Sequence, residues 1–498
     1  LKKTISGFPV WLLITWIFFL IYHCSIIRIS PLPWFDETYF ASMAAHFAET
    51  GEFFAPVCPL MDYYYPQSKA YGPGYFILLG FVFKIFEFGM VQMRTPALLF
   101  GFAFLLLGYR MLRESGVSEK LSGIFFILLL IDPIFMQNIH SGRMDSTALF
   151  FAGLGALFAI RATNRNNWPE FGRCGLFLGF AILCTPRIAV NIIGPGLASL
   201  MILRSSPDFK KVLKVLLIPL IVGLIYTVWI FWGFGGFSNA WAYFFGQPRE
   251  KLYYESLAQG YISFEKYIPV FQFPALLVLV ILIITWLFGR RKVNPLQLIC
   301  VFNLMAYFFL VRDTGIYSIF SIPWAYMLMA SIGASLNLKS ATAGRLTLVF
   351  SLLICLNAGI FLTKQLVIAM DAPSRDEKLV SQAIGKIIPS GSHVIGDEVY
   401  YYAAVKNGLK FQYLDRGASG FQRLSYHKVN FNFEYIIVRD PVSNPAEFKH
   451  YSKSIPLRKI GEISLPSSDS ALKKSAFFLL NKFGIRIPAG YRGAIYQR

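Results

Sequence analysis

Long apolar runs separated by short basic segments fill roughly the first three-quarters of the chain. A bilayer-spanning helix needs about 20 predominantly apolar residues. On that measure the pattern predicts spans near residues 8–29, 95–112, 121–138, 146–161, 174–187, 188–204, 212–234, 269–289, 295–311, 316–337 and 345–363. The run Pro73–Phe88 is also apolar but shorter, and it carries Lys84 and Glu87, so it reads as an interfacial or re-entrant helix. From Gln365 onward the spanning pattern stops and Asp, Glu, Lys, Ser and Gly are interspersed throughout. There a helix is expected over Asp376–Ile388, strands near 392–397, 411–414, 435–440 and 494–497, and a basic amphipathic stretch over 471–484. The expected organisation is a membrane-embedded domain over 1–364, with a first outer loop at 30–94, and a small soluble α/β domain over 365–498.

Composition agrees with the pattern: 55% of residues are hydrophobic, only 15% are charged, and mean hydropathy is +0.53. A net charge of +20 on a soluble protein would suggest nucleic acid, but here the basic residues sit between apolar runs and act as topology signals. No nucleic-acid partner is expected. Six cysteines without CxxC spacing indicate neither a zinc site nor a disulfide framework. No Walker or Rossmann glycine pattern follows a strand.

Basic loops stay cytoplasmic. Clusters at Lys2–Lys3, Arg110–Lys120, Arg161–Arg173, Arg204–Lys214, Arg290–Lys292 and Lys339–Arg345 therefore place the N-terminus inside. With about 11 spans and 73–88 not crossing, the C-terminal domain lies outside. The first span runs straight into Arg28 without a small-residue cleavage site, and reads as a retained anchor. On this topology most acidic residues of the membrane part fall outside, so carboxylate chemistry belongs on that face.

Two outer clusters carry candidate chemistry. The first, WFDETYF, sets Asp36 and Glu37 side by side after the anchor, where a partly desolvated carboxylate can act as a general base. Helix capping by Asp36 is the alternative. The second, NIHSGRMDSTALFF, sets Arg143 and Asp145 at the start of a span, suited to holding a phosphate and orienting it. Capping and snorkelling are the alternatives there. Lys69, Arg94, Arg187, Arg249, Lys251 and Arg312 also fall at outer ends, against the positive-inside tendency, where a lipid phosphate would account for them.

These pieces in this order resemble the C-type glycosyltransferases that use polyprenyl-phosphate sugars, in the bacterial branch similar to protein O-mannosyltransferases and lipid A aminoarabinose transferases. The resemblance rests on Asp36-Glu37 after the anchor, YGPGYFILLGFVFKIF, Arg94 opening the next span, RMDSTALFF, and RDTGIYSIFSIPW, and runs from about residue 8 to about 337. It implies a C-type glycosyltransferase fold with Asp36 as catalytic base beside Glu37. It further implies Arg94, Arg143 and Arg312 on the donor phosphate; Lys69 is a further candidate for that phosphate, and Asp145, His140 and Tyr317 are candidates for orienting the substrate. The chain departs from the pattern at Lys69-Ala70-Tyr71-Gly72-Pro73, where relatives often have Lys or His followed by two prolines.

The function expected is transfer of one sugar from a polyprenyl-phosphate donor to a protein, lipid or glycan acceptor at the outer face of a bacterial or archaeal plasma membrane, with inversion. No cofactor is required by the pattern, and a divalent metal is left open. The alternatives are a transporter or lipid flippase without chemistry, which the concentration of carboxylates in outer loops disfavours, and an oligosaccharide-transferring enzyme.

Overall fold

A computed structural model describes residues 4–498 other than 6, 59–70, 205–208, 246–278, 281, 285–292, 311–316, 337–339, 415–431, 441–447, 450–451, 454, 484 and 486. The protein is mainly helical. Among the described residues five helices are long and apolar enough to cross a membrane, at Met90–Glu114, Met144–Arg165, Val212–Phe234, Ser318–Ser335 and Leu348–Met370. Val10–Ile26, Pro73–Phe86, Pro186–Ile202 and Pro295–Leu310 are apolar but shorter. The run expected to span at 269–289 lies almost wholly outside the described residues.

Along the helix Phe209–Phe234, Leu213, Leu216, Leu220, Leu224, Val228 and Phe231 are exposed at three- and four-residue spacing. Such a continuous apolar face is tolerated against lipid and not against water. The chain is a multi-pass membrane protein.

The segment 121–138, expected as one span, is instead two helices, Glu119–Leu130 and Pro133–Ile139, bent by 65°. Pro133 has no N–H to continue the first helix. Asp132 Oδ1 accepts from the backbone N–H groups of Ile134 at 3.0 Å and Phe135 at 2.8 Å, so the second helix starts with its own cap. The helix after the first span is Phe35–Thr50 and stops at Gly51, whose φ of 79° is the left-handed conformation that glycine adopts freely. Its N-cap is Trp34, and Asp36 lies in the first turn without capping it.

The last membrane helix continues to Met370, beyond the boundary expected at residue 364. The tail that follows holds a mixed sheet. After a two-stranded N-terminal hairpin (β1, Thr4–Ile5; β2, Phe8–Pro9), its strands are β3 (His393–Gly396), β4 (Lys410–Tyr413), β5 (Tyr435–Arg439), β6 (Arg458–Ser464) and β7 (Arg492–Gln497). Their order is β4-β3-β5-β7-β6, with β3 parallel to β4 and β5, and β7 antiparallel to its neighbours. Strand β6 was not anticipated, because its alternation is broken by Lys459, Gly461 and Glu462. The amphipathic stretch forms the helix Ala471–Lys482, whose Ala476 and Leu480 pack with Ile360 and Val367 of the last membrane helix.

The tail is fastened to the helix Phe35–Thr50. Tyr413 of β4 donates its backbone N–H to the Val57 carbonyl at 3.1 Å, and its hydroxyl lies 3.1 Å from the Phe35 carbonyl and 2.6 Å from Thr38 Oγ1. Arg375 is buried and donates to the carbonyls of Ile29 at 2.9 Å and Pro488 at 2.6 Å.

Candidate active site

Arg143 is the centre of the site. It is the N-cap residue of Met144–Arg165 in extended conformation, which turns its side chain back toward the first turn of Phe35–Thr50. Gly142, at φ 62°, makes the turn before it, and a Cβ there would meet Met93 Cγ at 2.9 Å and Glu37 Cγ at 3.2 Å. Arg143 Nη1 donates to Asp36 Oδ2 and Nε donates to Asp145 Oδ2. The guanidinium also lies 5.1 Å from the Trp34 ring centroid and 5.2 Å from that of Tyr317. Arg143 and Asp145 are buried, whereas the Asp36 side chain keeps 27% of its surface exposed. Arg143 Nη2 and Asp145 Oδ1 are buried with no partner among the described residues, leaving a donor and an acceptor open beside the exposed carboxylate.

A second guanidinium shares the Tyr317 ring with Arg143. Arg187 is exposed, donates to the Tyr317 hydroxyl, and lies 4.4 Å from the Tyr317 centroid and 5.3 Å from that of Tyr71. Tyr71 is set by Gly72, where a Cβ would fall 2.1 Å from the Leu183 carbonyl oxygen, so this residue has to lack a side chain. In the sequence Arg187 stands only among scattered outer cations. Its one signal was CTPRIAVN, an arginine just after a span with a proline before it.

The other expected residues divide. Asp36, Arg143, Asp145 and Tyr317 are brought together. Glu37 and Arg94 form a separate, fully buried pair: Arg94 Nε and Nη2 donate to the two Glu37 oxygens at 2.7 and 2.9 Å, and Nη1 donates to the Ile27 carbonyl at 2.8 Å. Tyr402 of the tail adds a hydroxyl at 3.4 Å from Glu37 Oε1. With its guanidinium engaged this way and no surface exposed, Arg94 braces the helix that carries Asp36; a phosphate contact would require breaking that pair. His140 is buried against His23, not Arg143. Lys69 and Arg312 lie outside the described residues. Among the described residues no group of three His, Cys, Asp or Glu side chains could hold a metal ion.

A carboxylate at the mouth, backed by a buried cation and flanked by an exposed arginine on aromatic rings, can remove a proton and neutralise a leaving anion in one place. The family model described as dolichyl-phosphate-mannose-protein mannosyltransferase matches residues 69–232, which contain Arg143, Asp145 and Arg187. The chain is similar to the C-type glycosyltransferases. Its fold is similar to that of ArnT from Cupriavidus metallidurans, solved bound to undecaprenyl phosphate and in the apo state. Each of those structures is 12% identical and covers 97% of this chain and 98% of its own, with a TM-score of 0.53. The shared fold therefore includes the tail, where the sequence resemblance had stopped. No curated protein sequence matches the chain.

Proposed function

We propose that the protein transfers a single sugar from a polyprenyl-phosphate donor to an acceptor at the outer face of the membrane. The observation that carries this reading is the Asp36–Arg143–Asp145 chain opening beside Arg187. Asp36 takes the proton from the acceptor hydroxyl or amine as its oxygen or nitrogen forms the bond to the anomeric carbon. The bond from that carbon to the phosphate oxygen breaks, and polyprenyl phosphate leaves. A single displacement inverts the anomeric configuration. Arg143 holds Asp36 in one orientation and offers Nη2 inward, and Arg187 stabilises the leaving phosphate from the mouth.

The family match supports the transfer chemistry, and the undecaprenyl phosphate bound by ArnT supports the class of carrier. The basic clusters support an N-terminus inside and the sheet domain outside. Arg312 keeps the donor role that the resemblance implies, and Lys69 stays a candidate for the same phosphate. The test is release of polyprenyl phosphate from a radiolabelled polyprenyl-phosphate hexose or pentose by the purified chain in lipid nanodiscs with a membrane extract as acceptor. Sugar transfer with loss of activity in Asp36→Asn supports the reading; ATP-independent lipid movement without transfer would replace it with a flippase.

A further inference from the structure

A small cavity lies between the first helix, the short helix Pro133–Ile139 and the last membrane helix, with His23, Gln137, His140, Lys364 and Gln365 in its lining. It shares no residue with the Asp36–Arg143 site. Lys364, buried in its wall, donates to Gln137 Oε1 at 3.0 Å, and no carboxylate among the described residues pairs with it. The neighbouring Asp132 acts on Lys364 only at longer range, its oxygens being taken up by two backbone N–H groups and the Tyr326 hydroxyl at 2.9 Å. A buried ammonium with no carboxylate in contact is costly, and an anion that reaches it directly relieves that cost.

The histidines of the same cavity define what kind of anion fits. His140 Nδ1 faces the Ser30 carbonyl at 3.3 Å, which can only accept, so Nδ1 carries the proton and the neutral ring accepts at Nε2. His23 Nδ1, 2.6 Å from that Nε2, must then be the donor. This leaves His23 Nε2 as a bare lone pair, and it is buried with no partner among the described residues. Gln365 uses its carbonyl oxygen on the Tyr22 hydroxyl at 2.8 Å, so its amide protons are free. The cavity thus combines ammonium and amide donors with one strong acceptor. A metal ion is disfavoured by the ammonium; a phosphate monoester, with anionic oxygens and one P–OH, satisfies every group.

We propose that this cavity is a phosphate site occupied by the headgroup of a phosphomonoester lipid, its P–OH donating to His23 Nε2 and its anionic oxygens taking protons from Lys364 and Gln365. The surroundings favour a lipid as the source. Phe18, Ile21, Leu362 and Leu366, close in sequence to the lining residues on the two helices, are exposed and apolar. His23 and Lys364 also lie toward the C-terminal ends of their helices.

The experiment is native mass spectrometry of the full chain in detergent, titrated with phosphatidic acid, with diacylglycerol of the same acyl chains, and with inorganic phosphate. Phosphatidic acid is expected to bind the wild type, and to bind Lys364→Met at least tenfold more weakly, about the loss of one charge-assisted contact. His23→Phe should lose a similar factor, and it reads the site independently should Lys364→Met fold poorly. Diacylglycerol should bind no better than background. Inorganic phosphate with the same sensitivity to Lys364→Met would support the phosphate site and assign it a soluble source. Equal affinity for phosphatidic acid and diacylglycerol, or affinity unchanged in both cavity variants, would overturn the proposal.

Discussion

Arg143 joins Asp36 to Asp145, its Nη1 on one carboxylate and its Nε on the other, so that a residue 107 positions away in sequence orients the exposed carboxylate of the first loop. The geometry requires both nitrogens of a planar fork, which an ammonium cannot supply.

Arg143→Lys is therefore expected to keep the charge and lose the orientation. Transfer should fall about 10- to 100-fold with a smaller change in donor affinity, since one charge-assisted contact is worth roughly 1.5–3 kcal/mol. Steady-state kinetics with varied donor separates the two; a variant with unchanged kcat would remove Arg143 from the orienting role.

Asp36→Asn preserves size and polarity but cannot take a proton. Turnover should drop by about 100-fold or more, while expression and the thermal unfolding midpoint stay near wild type, because the Asp36 side chain is partly exposed. Wild-type turnover in this variant would end its assignment as the base.

Glu37→Gln should act on folding first. It leaves Arg94 buried without its counter-ion, a change that costs about 3–5 kcal/mol in comparable buried pairs. The expected result is a lower unfolding midpoint in detergent and low expression, with Arg94→Gln equally harmful and the double substitution milder than the sum. If Glu37→Gln were fully stable and inactive, Glu37 would belong with the reacting groups.

Removal of the tail after Lys364 is expected to abolish transfer. The hydroxyls of Tyr402 and Tyr413 reach Glu37 and Thr38, on the same turn as Asp36, and truncation also cuts the last helix before Met370. Tyr413→Phe provides the finer measurement: it removes only the hydroxyl and should reduce kcat several-fold without affecting assembly.

Membrane sidedness is checked with single cysteines at Ser115 and Ser390 in a background lacking the native six. An impermeant maleimide should reach them from opposite faces, with Ser390 outside. Labelling from one face would change the number of crossings by one.

The sequence was informative wherever chemistry and local pattern coincide. The membrane class, the helices at Met144–Arg165 and Pro295–Leu310, and the RMDSTALFF cluster could be read directly because apolar runs and start signals are local. The break at Asp132 was also signalled by Asp-Pro, but the apolar residues on both sides masked it. Partner choice was not legible. Glu37 and Arg94 each look like an outer functional charge, and only packing shows that they neutralise one another while Arg187 stays exposed. The link from Tyr413 to Phe35 joins positions too far apart in the chain for any pattern to connect them.

That link also affects how defects in this protein would be traced. In an unbiased screen for loss of sugar transfer, substitutions along Lys410–Tyr413 should appear beside those at Asp36, although strand β4 bears no reacting group. A map of inactivating alleles would then show two hot regions far apart in the gene, and suppressors of one should be recoverable in the other.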